Sequence, residues 1–421
     1  MRSLMIVFIA LILASCKDTQ IKKEIGMKDD VYILANDSLK GRQTGTREEL
    51  MAASYIEKRF RELGLKPKGN MGTYTQTFTF RLSKNPHEQA EYTEIGLDST
   101  LTGTNVIGYI DNNAENTVII GAHYDHLGMG GDGSLFREGS EIHNGADDNA
   151  SGVAVMLDIV KRLISNNDAP KGKTGSAHLN SKNYLFIAFS GEEMGLLGSN
   201  YFLKNPTIDT KKVSYMLNMD MVGRLNDENT LAVHGVGTSP IFKQVLFANK
   251  GSLKIAEHES GIGPSDHTSF YLSDIPVLHF FTGQHSDYHK PGDDSEKLNY
   301  KGMQLVSDYI FAIVSDLDKV GKLVFRKTKN ESEDAPRFKV ALGVVPDYLY
   351  TGKGMRIDGV SDDKPAQKAG LIKGDVVVQL GKNKTPDMMG YMKALAKFES
   401  GDSTVVTVER DGKTMEFAVT F

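Results

Sequence analysis

Five side chains able to ligate a metal lie along this sequence, each at the C-terminal end of an apolar run or in a loop rich in Gly, Asp and Asn. They are His123 in Gly-Ala-His-Tyr-Asp-His, Asp148 in Gly-Ala-Asp-Asp-Asn-Ala-Ser-Gly, Glu193 in Ser-Gly-Glu-Glu, Asp220 in Asn-Met-Asp-Met-Val-Gly and His289 in Asp-Tyr-His-Lys-Pro-Gly. Two imidazoles and three carboxylates suit a borderline divalent ion such as zinc, not an all-oxygen calcium cage or a thiolate site. One carboxylate shared between two ions gives each ion three protein ligands and leaves a position open for water. That arrangement suits hydrolysis.

The neighbours of these residues narrow the chemistry. His123 and Asp125 are two apart, so on an extended segment both point to one face, and Asp125 can accept from the second imidazole nitrogen. A surface pair would read the same way if it stood alone. Asp147 and Asp148 open an apolar helix, where acids also serve as caps favoured by the helix dipole. Glu192 and Glu193 leave the apolar run Leu185-Phe186-Ile187-Ala188-Phe189 pointing in different directions. One can bind metal while its neighbour moves a proton. The chain has no Gly-x-Ser-x-Gly elbow and no His-Glu-x-x-His, which sets aside two other hydrolase plans.

Strands and helices that could position these groups alternate. Helical spacing runs from Asp29 to Leu65, with Gly64 as its C-terminal stop. Asn105 to Ile110, Thr117 to Ile120, Tyr184 to Phe189, Tyr215 to Met219 and Pro276 to Phe281 read as strands. Val153 to Ile164 and Met303 to Leu317 read as helices. The alternation predicts an α/β fold, a mostly parallel or mixed sheet sandwiched by helices, with ligands at the carboxyl ends of strands. Gly-rich residues 128–143 lie between His123 and Asp148 and are expected at the pocket rim, and Ser165 to Lys182 reads as a surface insertion.

At 421 residues and a net charge of -5, the chain is long enough for two or three domains and shows no electrostatic footprint for nucleic acid. Its single cysteine, Cys16, follows a short apolar core and the sequence Leu13-Ala14-Ser15. This resembles a bacterial lipobox, which implies cleavage before Cys16, lipidation of its sulfur and a periplasmic or cell-surface location on a membrane; ordinary secretion is the alternative. The divisions expected are a signal peptide over 1–15, a tether over 16–28, a catalytic domain over 29–320, a linker over 321–336 and a small domain over 337–421. The last ends in a hairpin about Arg410-Asp411-Gly412.

Taken together, the five motifs and their order resemble the zinc aminopeptidase family that includes bacterial leucyl aminopeptidases, glutamate carboxypeptidase II and, with altered chemistry, glutaminyl cyclase. The resemblance covers about Asp29 to Asp318 and implies a zinc-exopeptidase-like fold with two Zn2+ per chain. His123 and Asp220 would hold one ion, Glu193 and His289 the other, and Asp148 would bridge. Glu192 would be the general base, Asp125 would orient His123, and Tyr288 would polarise the scissile carbonyl or simply pack. A cis peptide after Asp148 is also implied, and Ser265-Asp266-His267 matches a motif near the pocket. The implied activity is aminopeptidase action on peptides, with a single-zinc glutaminyl cyclase, or a carboxypeptidase or dipeptidase, as alternatives. The family's larger members carry an inserted domain, for which Thr73 to Thr104 is too short. From Phe338 onward the chain resembles a bacterial PDZ domain. Ala341-Leu342-Gly343-Val344 stands as the loop for peptide C-termini, and Pro365-Ala366-Gln367-Lys368-Ala369-Gly370-Leu371 followed by Gly374-Asp375-Val376-Val377 is the more diagnostic part.

Overall fold

The computed structural model describes residues 25–82, 91–93, 100–131, 133–136, 138–168, 179–329, 339–347, 350, 352–361 and 363–421. The signal segment, Cys16 and most of the tether lie outside the described residues. The first domain opens with α1 (Met27–Leu34) and α2 (Arg47–Glu62), then β1 (Lys66–Pro67), β2 (Thr75–Arg81), β3 (Glu91–Tyr92), β4 (Leu101–Ile110) and β5 (Thr117–His123). It continues through α3 (Gly152–Asp168), β6 (Asn183–Phe189), α4 (Leu197–Lys204), β7 (Val213–Met219), β8 (Thr230–His234), α5 (Phe242–Asn249), β9 (Lys254–His258), α6 (His267–Tyr271), β10 (Val277–Phe281) and α7 (Tyr300–Asp318).

Ten strands form one sheet in the order β3-β2-β4-β6-β5-β7-β10-β8-β9, with β1 on β4. The centre, β6-β5-β7-β10, is parallel. Around it the sheet turns antiparallel at β4 and β8, so it is mixed. Period two divides each central strand between two cores. Val118, Ile120 and Ala122 pack with α1, α2, α3 and α7 on one face. Ile119, Leu185, Ile187 and Met216 pack with Phe202 of α4 and Phe270 of α6 on the other. A side chain at Gly121 would collide with Phe189, since a Cβ there would lie 2.5 Å from its ring.

One helix was expected from Asp29 to Leu65, and the structure breaks it. Between α1 and α2 the chain turns through Lys40, Gly41 and Arg42, all at positive φ. Gly41 packs so closely that a Cβ would lie 2.4 Å from the His143 carbonyl. The turn delivers the Arg42 side chain, fully buried, into the protein interior.

Residues 323–328 were expected in the linker, but they lie against the first domain. Leu323 joins its core, the Arg326 N–H donates to the Thr238 carbonyl, and Thr328 bonds Tyr271 and Gly261. The second domain comprises β11 (Val344–Pro346), β12 (Met355–Val360), α8 (Pro365–Ala369), β13 (Val376–Leu380), β14 (Asn383–Lys384), α9 (Met388–Leu395), β15 (Ser403–Arg410) and β16 (Lys413–Thr420). Its sheet is antiparallel in the order β11-β12-β13-β15-β16 around a core that includes Ile357, Val377, Leu380 and Val406. Asp411 and Gly412 turn the terminal hairpin with both φ positive, as a two-residue loop between twisted strands requires.

Candidate metal centre

Each expected ligand sits at the carboxyl end of a central strand or in the loop beyond it. His123 ends β5, Glu192 and Glu193 follow β6, Asp220 follows β7, and His289 lies beyond β10. Asp148 comes from the distorted turn ahead of α3, where Asp148–Asn149 is a cis peptide. That turn is stitched to the loop carrying Asp220. Asn149 donates to the Met219 carbonyl and accepts from the Met221 N–H, while Asp147 accepts from the Gly223 N–H. Asp147 therefore works as a brace within the turn, also taking the Ser151 hydroxyl.

His123 Nε2 lies 3.3 Å from both Asp148 Oδ1 and Asp220 Oδ1. On the other side, His289 Nε2 lies 3.2 Å from Asp148 Oδ2 and 3.3 Å from Glu193 Oε2. His289 Nδ1 donates to the Gly133 carbonyl at 2.8 Å, which leaves Nε2 as the nitrogen able to ligate. The His289 carbonyl accepts from the Leu135 N–H, so this part of the Gly-rich segment lies against His289. Glu192 Oε2 is 3.9 Å from His123 Nε2.

Asp125 stands behind His123. Its Oδ1 is 3.6 Å from His123 Nδ1, and its main-chain carbonyl is closer at 3.2 Å. The carboxylate takes hydrogen bonds from the Glu192 N–H and the Thr44 hydroxyl. It thereby holds the segment carrying Glu192 as well as the histidine. The Tyr288 ring stacks on the His289 ring at 3.8 Å and packs with Met221, Ala232 and Phe281. Ser265 accepts from Asn218 at the end of β7, and Asp266 and His267 are buried behind the pocket.

Three supporting residues were not singled out in the sequence. His126, three residues beyond His123, has its Nδ1 2.7 Å from Glu193 Oε1. Among the described residues two groups of atoms able to ligate, each within 4.8 Å of one another, emerge: His123, Asp148, Asp220 and His126, Asp148, Glu193. Asp293 accepts the N–H groups of both Asp147 and Asp148 through Oδ2. Arg42 donates to the carbonyls of Leu34, Tyr124, Asn144 and Gly145, at 3.0 Å for Leu34 and 2.7 Å for Gly145. The doublet of histidines in His-Tyr-Asp-His was the one signal available for any of these.

The electrostatics follow from burial among like charges. Burial pushes the Glu192 carboxyl well above its usual range, and Asp220 and Glu193 add to it. Burial works to lower His123, but Asp220, Glu192, Asp125 and Asp148 override it and hold the imidazole well above 6.5. Burial likewise opposes protonation of His289, yet Glu193 and Asp148 raise it to about 9. Asp148 is held well below the usual range despite its burial, by His123 and His289. Asp148, Glu192, Glu193 and Asp220 line one cavity with His289. Four carboxylates facing one cavity need cations to balance them, and this mixture of nitrogen and oxygen donors fits zinc.

Comparison with known proteins agrees with this architecture. Residues 105–314 match the model of peptidase family M28, and residues 325–421 match a PDZ domain. A probable leucine aminopeptidase of Trichophyton verrucosum is 33% identical over 177 residues, 41% of this chain and 44% of that one. The chain spans about half the length of the curated relatives it matches. The fold is shared with a Zn-dependent exopeptidase from Parabacteroides distasonis, at 16% identity and a TM-score of 0.53, over 69% of this chain and 96% of that one. It is also shared with a glutaminyl cyclase of Porphyromonas gingivalis, at 17% identity and a TM-score of 0.52, over 69% and 97%.

Proposed function

As a member of peptidase family M28 that continues into a PDZ domain, the chain is, we propose, a two-zinc aminopeptidase that removes the first residue of peptides. One observation carries the reading: Asp148 belongs to both groups of ligating atoms, with Oδ1 toward His123 and Oδ2 toward His289. His123 and Asp220 would hold one ion, Glu193 and His289 the other, and His126 stands beside the second as a further donor or as an anchor for Glu193. Two ions bound there supply Lewis acidity and a water that ionises near neutral pH.

The chain's own residues do the remaining work. Glu192 takes a proton from the attacking water and returns it to the leaving amine. Asp125 fixes that glutamate through its main-chain N–H. Tyr288, on the cavity wall, would offer its hydroxyl to the scissile carbonyl. Similarity to the fungal probable leucine aminopeptidase supports the aminopeptidase reading. A single-zinc acyl transfer, as in a glutaminyl cyclase, is disfavoured because both ligand groups are complete.

The test is zinc per chain by mass spectrometry, together with cleavage of peptides whose termini are free or blocked. Two ions, with release of the first amino acid from free N-termini only, is the expected result. One ion with ammonia loss from N-terminal glutamine would establish the cyclase instead. We further propose that Cys16 is the lipidated N-terminus of a membrane-anchored protein. The second domain would take peptide or protein C-termini by adding a strand to β11, which ends the sheet order.

A further inference from the structure

Four histidines lie in a column across the edge of the cavity. His234 and His279 are directly opposed on antiparallel β8 and β10, so both side chains stand on one face of the sheet. Their rings stack at 5.1 Å. His258, opposite His234 on β9, stacks at 4.4 Å, and His267 stacks on the far side of His279 at 4.5 Å. The two middle members, His234 and His279, line the same cavity as the ligands Asp148, Glu193, Asp220 and His289.

This wall is polar but uncharged. Burial, reinforced by the neighbouring imidazoles, holds His234 and His279 well below 6.5, so at neutral pH each carries one N–H and one lone pair. His279 is only 2% exposed. Neither of its ring nitrogens, nor His234 Nδ1, has a hydrogen-bond partner among the described residues. Buried polar atoms in that condition are costly, and a ligand that pairs with them recovers the loss. Beside them Met221, Pro264 and Phe281 add an apolar flank. The cavity is about 100 Å³, room for a short side chain.

The geometry points to this wall as the binding site for the side chain of the substrate's first residue, selecting a primary amide: N-terminal glutamine or asparagine. The inference rests on the aminopeptidase reading and names its substrate class. A primary amide offers one acceptor and two donors, matching imidazoles that each offer one of either kind. Its short stem lies along Met221 and Phe281. A carboxylate brings no donor, an ammonium no acceptor, and neither finds an opposite charge on this wall. A leucine side chain fills the apolar part and leaves the imidazoles unpaired. Sites built to hydrogen-bond a substrate group reject analogues lacking it far more strongly than apolar pockets reject a missing methylene.

The experiment uses the full zinc-loaded chain and five N-terminal residues, Gln, Asn, Leu, Glu and Lys, on a common chromogenic amide. His234→Phe keeps the ring stack and removes the donor and acceptor, and circular dichroism checks its fold. Titration calorimetry of free glutamine and free leucine into Glu192→Gln gives a readout independent of turnover. We expect glutamine to exceed leucine in kcat/KM by about tenfold or more, and that ratio to fall by about tenfold or more in His234→Phe. A wild type that prefers leucine overturns the inference, as does a folded His234→Phe with an unchanged ratio. In either case hydrolysis itself would leave the aminopeptidase reading standing. Conversely, no amide hydrolysis with glutamine still binding tighter than leucine would support the wall and reject the aminopeptidase reading.

Discussion

Glu192 and Glu193 leave the same strand end and meet different neighbours. Glu193 reaches His126 with one oxygen and His289 with the other, whereas the nearest imidazole to Glu192 is His123 at 3.9 Å. Glu193→Ala should therefore lower zinc content and rate together. Glu192→Gln should keep both ions and lose about 10²–10⁴-fold in kcat, the usual range for acid–base help. Zinc stoichiometry and kcat on a peptide amide decide it, and reversed phenotypes would mean the two roles are exchanged. His126 tests finer placement. If it acts by holding Glu193, His126→Ala should weaken zinc affinity by about 10–100-fold without changing the number of ions bound at saturation; a stoichiometry reduced by one would make it an obligatory ligand. At this scale the five candidate ligands stood out because each follows an apolar run or sits among turn-formers. Arg42 and Asp293 did not, since apart from Leu34 the main-chain groups they hold lie 82 to 146 residues away, where no local pattern announces them.

Among the elements, continuously apolar strands were legible, the five-residue β10 included, and strands of mixed polarity were not. The runs feeding His123, Glu192 and Asp220 declare themselves. Thr230–His234 and Lys254–His258 are five residues each, mix polar with apolar side chains, and form strands only because β10 offers an edge to β8, and β8 in turn to β9. The break between α1 and α2 was likewise hidden, for the helical period continues on both sides of it. The histidine column makes a testable demand on stability. Burial holds His234, His267 and His279 well below 6.5 in the folded chain. Below pH 6.5 the unfolded chain binds protons at these sites that the native one refuses, so their contribution is complete above that pH and is lost as pH falls. Replacing His267 with Phe should flatten the acid side of the stability curve by up to about 1.4 kcal/mol per pH unit. Urea unfolding of the zinc-free protein between pH 4.5 and 7.5 measures the slope, and an unaltered slope would remove this histidine from the account.

For the molecule as a whole, the proposed anchor and the peptide-binding domain make separate demands. Cys16→Ser should shift the protein from the membrane fraction to the soluble one or leave it unprocessed, because stable anchoring needs more than a single acyl chain. A soluble wild type with an unmodified N-terminus would end that proposal. Among the described residues no helix is long and apolar enough to cross a membrane. In the full chain carrying Glu192→Gln, so that the probe survives, a fluorescent peptide ending in a free carboxylate and an apolar residue should bind more tightly than its amide. Equal anisotropy titrations for acid and amide would assign the domain some other contact. Of the second domain the terminal hairpin was legible through its turn chemistry, whereas the five-residue α8 was not read as a helix. Pro365 opens α8, Gly370 closes it at positive φ, and Asp411-Gly412 reverses the last hairpin.

The buried arginine also bears on where this protein can be cut. The match to the peptidase family begins at residue 105, yet the guanidinium that ties Tyr124 to the 144–145 backbone belongs to residue 42. Thr44 donates to Asp125, and Glu49 accepts from Tyr124, Ser190 and the Thr104 N–H. The border drawn by kinship therefore runs through the middle of a physical unit. A recombinant fragment started at that border would keep every candidate ligand and lose the scaffolding that aims them, so its inactivity would say nothing about the chemistry of the intact chain.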